Sequence, residues 1–371
     1  MAELIFFGHD AHDPAVQRRV KAFEQAGARV RAFTMRRGPA LSPSWDNVDL
    51  GETRDAAFAH RVGALWRARP TLRAHRETLR AGEVFYARNL DMLALARWAK
   101  RMSGAQARLV YECLDVHRFM TRADALGAAM RASERALLAD TALVVVSSPA
   151  FVREYFDKRH PGLARTLLIE NRLPWGFDYG PRPMPTVREG PIRVGWFGNL
   201  RCRRSLALLL ALARRFPDRI ALSLRGTPAR AEIADFEQRV AGRANVSFGG
   251  RYAWPGDLAS IYGDVDLVWA GDFHDPGANS KWLLPNRLYE GGYYAAPPLA
   301  PADSETGRWI EAHGFGFTLA EPLEETLPAF FGSLDRTPIA AARARLLAAA
   351  DGVFRQAKDE LRTVFEAERA R

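Results

Sequence analysis

Ile192-Arg193-Val194-Gly195-Trp196-Phe197-Gly198-Asn199-Leu200-Arg201-Cys202-Arg203-Arg204-Ser205 runs from an apolar stretch through a glycine into a cluster of arginines. Ile192 to Phe197 has the length and apolar character of a strand buried on both faces. Gly198-Asn199 reads as a turn, and Ser205 to Phe216 repeats apolar residues at helical spacing. Strand, turn and helix in that order predict a parallel sheet. The order also has a chemical consequence. The first turn of a helix carries unpaired N–H groups and a partial positive charge, which suit a phosphate. Gly198 permits close backbone approach, and three arginines add charge. The spacing is neither GxGxxG nor the GxxxxGK(S/T) phosphate loop.

Downstream, Ile220 to Leu224, Val246 to Phe248, Leu267 to Ala270 and Leu299-Ala300 are further strand candidates with helices between them. Upstream, 174–191 (PWGFDYGPRPMPTVREGP) holds five prolines and three glycines without periodicity and reads as a linker or a long crossing loop. Before it the βα rhythm is already present. Leu4 to Phe7 and Ala28 to Thr34 read as strands around a helix that Asp13 caps and Pro14 begins. Strands follow at Glu83 to Ala87, Arg108 to Tyr111, Ala142 to Val146 and Leu167 to Ile169. Thr337 to Arg371 reads as a helical tail. The chain of 371 residues is therefore expected to be α/β, with two Rossmann-like domains at 1–173 and 192–345, a linker at 174–191 and a C-terminal helix in 346–371.

Hydrophobic residues are 48% and charged residues 26%, which excludes disordered and fibrous classes. No apolar run reaches the ~18 residues of a membrane span. The start MAELIFFGHD lacks a secretory pattern. Cys113 and Cys202 are far apart, which argues against a disulfide scaffold and a thiolate metal site. A cytoplasmic location is expected. The net charge of +10 is uneven, with 28 Lys+Arg against 20 Asp+Glu in residues 1–180 and 25 against 23 beyond. Arg54 to Arg80 carries seven arginines, with Val62, Leu65, Trp66, Leu72 and Leu79 on an apolar side. It reads either as a basic helix on an anionic membrane surface or as a solvated helix packed on the protein. A peripheral position on the inner membrane face follows from the first reading. No helix-turn-helix, zinc finger or aromatic RNA signature accompanies the charge, so nucleic acid is not expected.

Three further stretches carry chemistry. Tyr111-Glu112-Cys113-Leu114-Asp115-Val116-His117 lies past a strand's carboxyl end, where open α/β sheets place ligands. Asp115 and His117 are candidate general bases. Gly8-His9-Asp10-Ala11-His12-Asp13 is a loop at another strand end, read as substrate-facing. It has no HExxH or distant partner to complete a metal site. Asn279 to Gly292 places Pro285 at a helix start and Glu290 about one and a half turns in, where a carboxylate can accept two hydroxyl protons from a ribose diol. Asp264-Val265-Asp266 reads as a strand entry, not as a metal-holding pair.

Four stretches carry a resemblance: 6–23 (FFGHDAHDPAVQRRVKAF), 109–119 (LVYECLDVHRF), 195–206 (GWFGNLRCRRSL) and 283–301 (LLPNRLYEGGYYAAPPLAP). The chain resembles GT-B-fold glycosyltransferases, and within them the succinoglycan-type, ExoL-like group that assembles bacterial exopolysaccharide repeat units. The resemblance implies two facing Rossmann-like domains with the active site in the cleft, and a C-terminal helix that packs on the first domain. The second half would bind a nucleotide-sugar and the first the acceptor. Gly198, Asn199, Arg201, Arg204 and Leu284 would face the donor diphosphate. Gly226, Arg251, Tyr252, Asn286 and Glu290 would hold the nucleotide, with Glu290 on the ribose as the second Glu of a paired signature. His9, Asp10, His12, Arg88 and Asn89 would face acceptor or sugar, and Asn171 precedes the linker. The first Glu of the pair is replaced by Trp282, which puts a retaining mechanism in doubt. An inverting enzyme needs a base, for which Asp115, His117 and Asp13 are the candidates.

The expected function is transfer of a hexose, glucose from UDP-glucose, onto a lipid-diphosphate-linked oligosaccharide. No metal or cofactor is expected, because arginines and a helix N-terminus can carry the leaving diphosphate. The alternatives are a nucleotide-sugar epimerase of the same fold and a catalytically silent partner binding nucleotide-sugar or membrane.

Overall fold

The computed structural model describes residues 2–40, 42–53, 58–116, 118–163, 165–183, 188–275 and 277–366. The chain divides into two compact units. The first comprises Met1–Glu170, Pro174–Gly176 and Ala357–Arg371; the second comprises Asn171–Leu173 and Phe177–Gln356.

The first unit is built on seven parallel strands: β1 (Glu3–Gly8), β2 (Arg29–Arg36), β3 (Asn47–Glu52), β4 (Val84–Arg88), β5 (Arg108–Cys113), β6 (Leu143–Val146) and β7 (Thr166–Leu168). Their order is β3-β2-β1-β4-β5-β6-β7. Both faces of β1 and β4 are covered, which is why LIFF and VFYA lack the alternation of a half-exposed strand. The second unit has six parallel strands: β8 (Ile192–Leu200), β9 (Ile220–Pro228), β10 (Val246–Phe248), β11 (Leu267–Trp269), β12 (Pro298–Pro301) and β13 (Phe317–Leu319). Their order is β10-β9-β8-β11-β12-β13. In each sheet the strand order reverses once, beside β1 and β4 in the first and beside β8 and β11 in the second. Open α/β sheets bind ligands outside the carboxyl ends of the strands at such reversals.

The structure corrects several expectations. β3 and β13 were not foreseen: NVDLGE is a largely polar edge strand, and FTL is only three residues long. Gly198-Asn199 is not a turn. β8 continues to Leu200, paired with β9 as far as Pro228, and places Gly198 opposite Gly226. The following helix starts at Arg203, capped by Cys202, whose Sγ accepts from Ser205 N at 3.3 Å. Arg54 lies outside the described residues. The rest of the basic segment is three short helices, Phe58–Arg67, Arg69–Ala74 and Arg76–Ala81. The segment 174–191 is not a free linker. Pro174–Gly176 belongs to the first unit, and Tyr179 is buried in the second unit's core. Nor is 346–371 one helix. Arg336–Ala348 ends in the second unit, and a short helix, Arg362–Glu366, buries Val364 in the core of the first.

Gly198 and Gly226 have φ of +108° and +132°, where a side chain is strained. A Cβ on Gly226 would lie 1.9 Å from Gly198 O. Gly226→Ala is therefore expected to destabilise the second unit by about 3 kcal/mol or more, combining ~1–3 kcal/mol of backbone strain with a backbone clash. A denaturant titration that leaves the midpoint unchanged would contradict this close approach.

Candidate active site

At the sheet reversal of the second unit, Arg201 follows β8 and Asp272 follows β11. The half-buried Arg201 guanidinium makes no hydrogen bond or ion pair among the described residues. Asp272 Oδ1 accepts from His274 N at 2.9 Å and from the Ser280 hydroxyl at 2.6 Å. Burial opposes its charge, but Arg287, Arg201 and those two donors hold the carboxyl below its usual range. Arg287 stands on the helix Asn286–Tyr293 and donates through Nη2 to Gly271 O at 2.9 Å. Its Nε is buried with no hydrogen-bond partner among the described residues. Burial lowers its pKa against the pull of Asp272. One turn on, Glu290 is buried. Its Oε1 accepts from Trp254 Nε1 at 3.1 Å and its Oε2 from Tyr262 OH at 2.8 Å. Each carboxylate oxygen can accept a second donor. Burial and Glu290 together push the Tyr262 hydroxyl well above its ordinary pKa, so it stays a donor.

At the reversal of the first unit, the loop after β1 is held by Asp10, whose Oδ1 accepts from His12 N at 3.0 Å and Arg37 N at 3.1 Å. Asp13 caps the helix Pro14–Gln25, accepting from Ala15 N at 2.8 Å. Its other oxygen lies 3.2 Å from His9 Nε2. Burial works against the Asp13 carboxylate, but His9, Arg88 and the Ala15 N–H outweigh it and hold the group well below the usual range. His9 Nδ1 is buried with no hydrogen-bond partner among the described residues. Behind the loop, Arg19 donates twice to Glu112 Oε1, at 3.0 and 2.7 Å, and Arg88 Nε lies 3.5 Å from Glu112 Oε2. Arg88 also donates to Ala15 O at 2.6 Å. Asn89, at the end of β4, has φ +79°, a strained conformation for a residue with a side chain.

Burial raises the Glu112 pKa, but Arg19 and Arg88 more than offset it, so the folded value is depressed. The stability this group lends is present above its unfolded pKa, about 4.3, and is lost as pH falls through the folded value. Glu112→Gln is expected to cost about 3–5 kcal/mol at neutral pH, because two buried cations lose their carboxylate. The variant's stability should then fall less than the wild type's on acidification below about pH 4. Urea titrations at both pH values check this.

No established family profile matches the chain. A succinoglycan biosynthesis protein, ExoL of Rhizobium meliloti (strain 1021), is 41% identical over 342 residues, covering 90% of this chain and 85% of that protein. The chain belongs to the ExoL family of bacterial exopolysaccharide glycosyltransferases. Its fold is GT-B. Anabaena Alr3699/HepE, solved in complex with UDP and glucose, superposes with a TM-score of 0.68 at 15% identity, covering 98% of both chains. WaaG, a glycosyltransferase involved in lipopolysaccharide biosynthesis, gives 0.64 at 14% identity over 98% of both. Sucrose-phosphate synthase from Thermosynechococcus elongatus gives 0.67 at 16% identity over 99% of this chain and all of that one.

In this ExoL-family chain, the sequence-predicted residues separate by their partners. Gly198, Arg201, Gly226 and Glu290 stand at the carboxyl end of the second sheet or on the helix beside it. Asn199 is exposed on β8, Asn286 opens the Glu290 helix, and Leu284 is buried with its carbonyl on Asn171 Nδ2 at 2.9 Å. Arg251 is exposed, and its carbonyl accepts from Arg225 Nη2 at 3.4 Å; Tyr252 packs on the second unit's core. Arg204 is engaged elsewhere. It holds Glu321 at 2.9 and 2.7 Å and Glu324 at 3.1 and 3.0 Å, with its guanidinium 4.6 Å from the Phe273 ring centroid. Arg88 is buried against Glu112, and His12 Nε2 lies 2.9 Å from Pro39 O. Asp115 is exposed past β5, and His117 lies outside the described residues. Asp264 pairs with Arg193 at 2.6 Å, and Asp266 accepts from Arg193 N at 2.9 Å, as a strand entry requires. Sequence reasoning missed Arg287 and Asp272. The signal for Arg287 was an arginine one turn before Glu290 on the same helix. Asp272 carried none, because only the sheet order brings the end of β11 beside β8.

Proposed function

We propose that this ExoL-family chain transfers glucose from UDP-glucose to a lipid-diphosphate-linked oligosaccharide, with inversion at the anomeric carbon. The observation that carries the donor half is the cationic pair at the reversal of the second sheet. Arg201 lacks an internal partner, and Arg287 holds a buried Nε without one. A leaving diphosphate gains negative charge as the glycosidic bond breaks, and fixed cations there lower the barrier. The Gly198–Gly226 approach lets a nucleotide lie against bare backbone, and Glu290 takes the ribose hydroxyls. HepE, whose structures hold UDP and UDP-glucose, supports the donor class.

His9 and Asp13 supply the base. Asp13 is held too acidic to take a proton itself, whereas imidazole is the usual side chain for proton transfer near neutrality. Asp13 orients the His9 ring through Nε2, and Nδ1 is the ring nitrogen without a partner among the described residues. Trp282, in place of a carboxylate, favours direct displacement with such a base. A thermal-shift series with UDP, UDP-glucose, UDP-galactose, GDP-mannose, ADP-glucose and dTDP-glucose tests the donor. A ligand that binds only the folded chain must raise its apparent stability. Stabilisation by UDP and UDP-glucose is expected. No shift with any nucleotide would move weight to a silent partner.

The acceptor's lipid places the enzyme at an anionic membrane surface. Val62 and Trp66, one turn apart on Phe58–Arg67, are 40% and 61% exposed. Arg67, Arg73, Arg76 and Arg80 are exposed around them, and none forms an ion pair among the described residues. No helix among the described residues is long and apolar enough to cross a membrane. The chain is expected to cosediment with vesicles containing phosphatidylglycerol but not with purely zwitterionic ones. At about 1 kcal/mol per arginine, the triple change Arg73→Ala, Arg76→Ala, Arg80→Ala should weaken that binding by about 100-fold. Equal binding to both vesicles would contradict the assignment.

A further inference from the structure

We propose that Asp272 receives the donor's hexose, accepting hydrogen bonds from its hydroxyls, and so distinguishes a sugar nucleotide from the bare nucleotide. This rests on the donor reading of the second unit. Three observations carry it. Asp272 stands at the carboxyl end of β11, next to β8 in the sheet, where this topology collects ligands. The neighbouring backbone is pinned there, since Phe273 N donates to Cys202 Sγ at 3.3 Å. The carboxylate is also half used. Oδ1 takes the His274 N–H and the Ser280 hydroxyl, while Oδ2 of the half-buried side chain receives no hydrogen bond from the described residues. Ser280 is itself fixed, because its oxygen accepts from Asp275 N at 2.8 Å.

The electrostatics set the direction of the effect. A carboxylate beside Arg201 and Arg287 competes with a diphosphate for both cations. For bare UDP, Asp272 is therefore a liability. It favours binding only when the ligand brings donors to Oδ2, and the hydroxyls of a hexose are such donors.

The test measures calorimetric dissociation constants of UDP and UDP-glucose for the full chain, Asp272→Asn and Ser280→Ala, each checked for a native melting profile. Asp272→Asn is expected to bind UDP as tightly as the wild type or more tightly, and UDP-glucose at least tenfold more weakly. Ser280→Ala, which loosens the carboxylate without removing it, should weaken UDP-glucose by about threefold and leave UDP unchanged. Parallel weakening of both ligands in either variant would make Asp272 a support for the arginines and overturn the proposal. Unchanged affinity for both would overturn it too. If Asp272→Asn does not fold, Ser280→Ala alone decides between these outcomes. A wild type that binds neither ligand would fail the donor reading itself, which is a different result from a lost preference.

Discussion

His9→Ala is expected to lower the rate of glucosyl transfer by about 10³-fold while leaving UDP-glucose affinity within twofold, since general base catalysis contributes about 10²–10⁴. Asp13 has two jobs: one oxygen caps the helix Pro14–Gln25, and the other lies against His9 Nε2. A carboxylate held that far below its usual range cannot serve as a base near neutrality, but it fixes a ring tautomer well. Asp13→Asn should therefore cost about 10²-fold or more in turnover by misorienting His9, with an additional loss of about 1 kcal/mol of stability if the amide caps less well. Asp115→Asn, by contrast, should change turnover by less than threefold, because Asp115 is exposed beyond β5. Initial rates with saturating donor and single-turnover measurements separate these cases. An inactive Asp115→Asn beside an active His9→Ala would reverse the assignment.

Glu290→Ala is expected to weaken UDP binding by about 10- to 100-fold, the value of a hydrogen-bonded charged group at about 1.5–3 kcal/mol. The same change leaves the Trp254 Nε1 and Tyr262 OH donors without their acceptor in a buried site. Each orphaned donor costs about 1–3 kcal/mol, so the variant should also lose stability. Glu290→Asp separates the two effects: a shorter carboxylate keeps the charge but cannot span both donors and a ribose. Its stability should lie between wild type and alanine, with UDP affinity near that of alanine. Calorimetry with UDP and urea titration of each variant check the pair. Wild-type UDP affinity in Glu290→Ala would remove Glu290 from the nucleotide site.

The sequence made the strands on either side of each reversal legible because they are buried on both faces. LIFF, VFYA and IRVGWF leave little alternative to a parallel sheet. β3 escaped because an edge strand needs no continuous apolar run, and β13 because three residues carry no period. The turn assigned to Gly198-Asn199 failed for an instructive reason. A glycine at positive φ ordinarily ends a strand, but a second such glycine, Gly226, lies opposite, and the pair lets two strands continue in close contact. The helical position of Glu290 was legible because its helix begins at a proline-marked start. Arg204 was assigned to phosphate from its position near a helix N-terminus. Its actual partners, Glu321 and Glu324, lie more than 100 residues on and only the fold brings them near. The His9–Asp13 pair was visible as a loop of polar residues, but its division of labour was not. How far the Asp13 pKa is depressed depends on His9, Arg88 and the helix cap, which sequence spacing does not encode.

The proposed reaction is acceptor-dependent glycosyl transfer from a nucleotide-sugar bound by the second unit. The most direct test follows UDP release from UDP-glucose by the purified chain, with and without a lipid-diphosphate oligosaccharide, and analyses the sugar product by NMR. UDP release is expected only when acceptor is present, together with a new glycosidic bond of inverted configuration and loss of both with His9→Ala. UDP-glucose that is epimerised without acceptor, or that is bound and never turned over, would contradict it.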